Sequence, residues 1–212
     1  MFEPPNDFTS NTLDDIYVLA DRCASRAPAA FASICAIALV RAAPVERHAE
    51  SLLRIALVDR ALPFLRRLAM MERIDERDLR PFTDEDGVVS RTLASVPDFG
   101  LDPQASAFGS VLNYWSWVVE NGLRLLGTNR SDFARDMAVI SVLSVDSAVF
   151  LWPTLVGAPA PPSESSVQQS IAREAELVRN ALRNESYNAA DARRLLDEPL
   201  TPVVVTFEKL RC

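Results

Sequence analysis

Glycine is scarce, with 6 among 212 residues. That leaves few of the tight turns and bulges on which sheet proteins depend, and an Ala- and Leu-rich chain of this kind favours helix. The same scarcity leaves no phosphate cradle, since neither Gly-x-x-x-x-Gly-Lys nor Gly-x-Gly-x-x-Gly occurs. Cysteine is limited to Cys23, Cys35 and Cys212. An odd number without paired spacing excludes a disulfide framework. Cys23 and Cys35 lie in apolar helical contexts, where a thiol behaves as a small hydrophobe. Histidine occurs once, as His48. Glu46-x-His48-x-Glu50 misses both the two-His helical zinc spacing and the Glu-x-x-His pair of di-iron bundles. A zinc site would need Cys23 or Cys35, and neither has a close second Cys. No Gly-x-Ser-x-Gly elbow surrounds any serine, and a triad would have to recruit His48. No catalytic residue, metal or cofactor is assigned, and the segment around His48 reads as an exposed helix start.

Basic charge is also short. Lys and Arg total 22 against 29 Asp and Glu, a net −7 and a pI near 4.8. This excludes the basic surface that displaces counterions from nucleic acid. It suits solubility or docking to a basic partner. The apolar run around Asp146 is too short to span a membrane, so no membrane role is expected. Met1-Phe2-Glu3-Pro4-Pro5 lacks the basic and apolar regions of a signal peptide, and the expected location is the cytoplasm.

What is present is helical periodicity. The richest stretch runs from Asp102 to Trp152. Asp102-Pro103 is a helix start, followed by Ala105, Phe108, Leu112, Trp115, Val119, Gly122 and Leu126 on one face. Gly127 ends that helix. Thr128 to Ser131 form a turn, and the second helix carries Met137, Ala138, Ser141, Val142, Val145, Ala148, Val149 and Trp152 on one side. Val139, Ile140, Leu143 and Phe150 line much of the other, so this helix is expected to be buried. Ser141, Ser144 and Ser147 then read as small residues that allow close packing. The short turn makes the pair antiparallel, at the centre of a bundle.

The other segments follow in order. Residues 1 to 11 form a polar lead-in, and Leu13 to Cys23 a first helix. Pro28 opens a second helix that Pro44 closes, with Phe31, Ile34, Cys35, Ala38, Leu39 and Ala42 on its apolar face. A third segment runs from Val45 to about Met71, with a kink or break near Asp59 to Leu62 imposed by Pro63. Thr83 and Asp86 fit a capping box before a short helix over Val88 to Val96. Gly157 to Ser163 is a Pro-rich linker. Ser163 caps an amphipathic helix that reaches about Asn184, with Val167, Ile171, Ala175, Val178 and Leu182 on one face. Ala189 to Leu196 forms one more helix. Val203 to Phe207 has strand character and is read as a short extended segment.

The predicted fold is therefore all-α, a bundle of roughly six to eight helices with a short extended C-terminal segment. The predicted organisation is a helical core over residues 1–152, a linker over 153–163, and C-terminal helices and tail over 164–212 that pack on the core.

Two groups of acids stand out. Asp75, Glu76 and Asp78 belong to a charge-dense patch, and Asp84, Glu85 and Asp86 to an acidic turn. Both lie on polar connections that reach outward. Asp146 is the opposite case, a lone acid in an apolar run, where an unpaired charge is costly. It is expected to pair with Arg124, Arg54 or Arg41, or alternatively to face a ligand.

The run Ala32-Ser33-Ile34-Cys35-Ala36-Ile37-Ala38-Leu39-Val40-Arg41-Ala42-Ala43-Pro44, followed by a helix of the type Leu52 to Leu62, resembles small all-helical immunity proteins of bacterial toxin systems. In those an Ala- and Cys-containing helix ends in Arg-x-x-Pro, and a later Ala-rich helix corresponds to Ala105 to Leu112. Val40 stands where that pattern often has Glu. The resemblance covers residues 1 to about 150 and carries over no functional residue. It implies an all-helical fold and a role in blocking a protein partner.

The leading expectation is a non-catalytic protein-binding domain that meets a basic partner through Asp75, Glu76, Asp78, Asp84, Glu85 and Asp86. The alternative is a helical enzyme or small-ligand binder with a pocket between the central helices near Asp146 and Trp115. A third reading is a homo-oligomer in which Val203 to Phe207 pairs with another chain.

Overall fold

The structure is a computed structural model, and it describes residues 6–53, 58–72, 74, 75, 77, 137–155 and 157–211. Among the described residues there are seven α-helices and one 3-10 turn, and no strand. The first helix of the central pair, the capping box at Thr83 and the helix over Val88 to Val96 lie outside the described residues.

Helix α1 spans Asn6–Arg26, so it begins within the stretch read as a polar lead-in. Pro28, without an N–H, starts α2 after Ala27. Helix α2 spans Pro28–Leu53. Its length corrects the sequence reading, because Pro44 does not close it. The helix continues through Pro44 for nine residues. Val45 continues the apolar period of Ala38 and Ala42 and is fully buried, so tertiary burial offsets the lost backbone bond of an internal proline.

Helix α3 spans Val58–Ala69 and contains Pro63 without a break. Pro63 lies on the exposed side of the helix, away from the buried stripe of Val58, Ala61, Leu62, Leu65, Leu68 and Ala69. The chain leaves α3 through two reversed bonds, Met71 N–H to Leu68 O at 2.8 Å and Glu72 N–H to Arg67 O at 3.0 Å. Met71 has a φ of 58°. This is the helix ending usually reserved for glycine.

The remaining helices are α4 (Ile140–Leu151), α5 (Glu164–Arg183), α6 (Ala189–Asp197) and α7 (Pro202–Arg211). Helix α4 passes into a 3-10 turn over Trp152–Thr154. Ser163 caps α5 by accepting from the N–H of Ser166. All five predicted apolar positions of α5 are buried. The loop before it is tied down where Trp152 Nε1 donates to the carbonyl of Pro159 at 2.9 Å. Asn188 and Asp191 form a reciprocal capping box on α6.

Helix α7 replaces the expected extended segment. Pro202 occupies its first position, where a missing N–H costs nothing. Val203, Val204 and Phe207 are buried and Thr206 is exposed, a spacing of helix rather than strand. The β-branched run that suggested a strand is overridden by this packing.

Helix α2 packs against each of the other six helices. The stretch Pro28–His48 is long and apolar enough to cross a membrane by composition, yet 78% of its richest window is buried among the other helices. A helix apolar on nearly every side takes the centre of a bundle. The described helices share one hydrophobic core, which joins residues of α1 to α3 with those of α4 to α7.

Candidate functional site

The second half of α2 carries four ionisable side chains into the core: Arg41, Glu46, His48 and Glu50. The reading of residues 46 to 50 as an exposed helix start is therefore corrected. A helix that ended at Pro44 would put these residues outside; carried through Pro44, it turns Glu46, His48 and Glu50 inward.

Arg41 is 5% exposed and Glu174 is 2% exposed. The two form a bidentate pair, with Arg41 Nε donating to Glu174 Oε2 at 3.0 Å and Nη2 donating to Oε1. Arg41 also donates to the carbonyls of Glu198, at 2.7 Å, and Pro199, at 3.2 Å. One guanidinium thus joins α2 to α5 and to the connection between α6 and α7. The planar fork of Arg suits this geometry.

His48 Nε2 lies 2.7 Å from Thr154 Oγ1. The Thr154 hydroxyl gives its single proton to Leu151 O at 2.6 Å. Nε2 must therefore carry a proton and donate to Thr154. The imidazole and the Phe207 ring meet edge to face, with centroids 5.3 Å apart. His48 so links α2, the end of α4 and α7.

Glu50 accepts from the N–H of Val58 with both carboxylate oxygens, at 2.9 and 3.0 Å. It caps α3 from another helix, where a negative charge meets the positive helix end. Nearby, Arg47 donates to Asp59 at 2.7 Å and adds a surface tie between α2 and α3.

Glu46 is 2% exposed, and its Oε2 has no hydrogen-bond partner among the described residues. Burial holds its carboxyl well above the ordinary range, and the neighbouring charge of Glu50 adds to the rise. The side chain is therefore a neutral acid under conditions in which surface carboxyls are ionised.

Asp146 is half-buried on α4. Among the described residues no cation pairs with it, and Arg41, one of its expected partners, is committed to Glu174. Arg54, Arg124 and Trp115 lie outside the described residues. Burial pushes the Asp146 carboxyl up to about 6. Ser141 and Ser144 of the same helix are buried, and Ser144 donates to Ser141 O at 2.7 Å.

A second polar group sits between α2 and the α5–α6 connection. The Ser33 hydroxyl donates to Ala69 O and lies 3.3 Å from the Tyr187 hydroxyl. Burial, before all else, pushes the Tyr187 phenol up to about 12. Cys23 and Cys35 are buried thiols outside any disulfide, and burial raises both, Cys35 strongly. Such thiols are poor nucleophiles. An open groove of about 170 Å³ runs beside Asn180, Asn184, Tyr187, Asp191 and Arg194. Asp191 is already engaged there, by its helix cap and by Arg194.

Of the six acids predicted to face a partner, Asp75 is described. It is exposed beyond the end of α3, and its carboxylate accepts from the N–H of Arg77 at 2.9 Å. Glu76, Asp78, Asp84, Glu85 and Asp86 lie outside the described residues. Sequence reasoning missed Glu174, although a signal existed. Glu174 falls between Ile171 and Ala175 on the apolar stripe of α5, a position that demands an internal cation. Among the described residues no three His, Cys, Asp or Glu side chains converge as a metal site. No protein-family model, curated protein or solved structure matches the chain.

Proposed function

We propose that this chain is a non-catalytic, acidic binding domain that docks on a basic protein partner, in the specific form of an immunity-type protein that blocks what it covers. The observation that carries this reading is the charge of the segment leaving α3. Residues 72 to 86 hold seven carboxylates (Glu72, Asp75, Glu76, Asp78, Asp84, Glu85 and Asp86) against Arg73, Arg77 and Arg80. That is a net −4 of the chain's −7. Glu72 and Asp75 are exposed just beyond the left-handed Met71 that ends α3, with Glu72 3.5 Å from Arg67. Complementary charge of this kind speeds association and selects against wrong partners. The test is affinity capture from lysate of the source cells, with the wild type beside a variant in which Asp75, Glu76, Asp78, Asp84, Glu85 and Asp86 are Asn or Gln. Retention of one stoichiometric basic protein by the wild type alone supports the reading. Equal retention by both proteins, or none by either, overturns it.

A second reading has one specific observation behind it. Asp146 is a half-buried acid without a cation among the described residues, shifted to about 6, the kind of group found at ligand sites. Under that reading the chain holds a small molecule near α4. Purified protein carrying a retained small molecule that Asp146→Asn releases would favour it over the binding domain.

A further inference from the structure

We draw no further inference here: the strongest candidate, the buried Glu46 carboxyl one turn from Glu50 near the C-terminal end of α2, is a single side chain beside which nothing among the described residues points to a ligand.

Discussion

Arg41 of α2 and Glu174 of α5 form a bidentate ion pair inside the core, and the same guanidinium holds the carbonyls of Glu198 and Pro199. Two helices far apart in sequence and the junction before α7 thus share one charged centre. Removing one partner leaves the other charge buried and unpaired, which costs about 3–5 kcal/mol. Arg41→Met and Glu174→Leu should each lower stability by that amount, and the double variant should regain much of it. Urea unfolding of the four proteins measures the coupling. Additive losses would mean that the pair is not the unit described.

Glu46 sets a pH dependence whose sign is fixed. Its folded-state pKa is raised, so between the ordinary Glu value near 4.5 and the folded value the native state binds more protons than the unfolded chain. Its contribution is fully present below about pH 4.5 and is lost as pH rises towards the folded value. Glu46→Gln keeps the shape and cannot ionise. The variant should be at least as stable as wild type at neutral pH and should lack this part of the alkaline decline. Unfolding midpoints across pH 4 to 9 for the two proteins provide the check.

Asp146 behaves in the same direction over a defined window. Its carboxyl rises from 3.8 to about 6, so stability declines between those values as pH increases. The full shift would be about 3 kcal/mol, and partial exposure reduces the expected effect to about 1–2 kcal/mol. Asp146→Asn should recover that amount at pH 7. A carbon-detected NMR titration of Asp146 with a midpoint near 4 would refute the assignment.

Phe207 is fully buried against His48 and Trp152. Phe207→Ala should cost about 3–5 kcal/mol. Thr206→Ala, one residue away on the exposed side, should change stability by less than about 0.5 kcal/mol. An extended segment would put Val204 on the same face as the exposed Thr206, so a costly Val204→Ala beside a neutral Thr206→Ala is the pairing that distinguishes the helix.

The sequence made the helices legible where period and caps agreed. Ser163 and the stripe from Val167 to Leu182 announce α5 through local chemistry that tertiary contacts do not alter. Proline misleads. Pro44 reads as a stop, yet it sits inside α2, because the burial around it outweighs one missing backbone bond. That single error hid Glu46, His48 and Glu50, since a helix ending at Pro44 puts them outside. The continuing period Ala38, Ala42, Val45, Ala49, Leu52 was the available signal. Val203 to Phe207 misled for the opposite reason, since β-branched composition suggested a strand that burial made a helix. The end of the third segment near Met71 is legible from the loss of apolar period, but its left-handed conformation is not, because glycine or asparagine normally marks that position.

The most direct measurement is the association rate of the captured partner as a function of salt, for the wild type and the variant neutralised at the six acids of residues 75 to 86. An acidic docking segment predicts a rate that falls steeply with ionic strength for the wild type, and a slower, nearly salt-independent rate for the variant. Equal rates and equal salt dependence in the two proteins would contradict the assignment of binding to this segment.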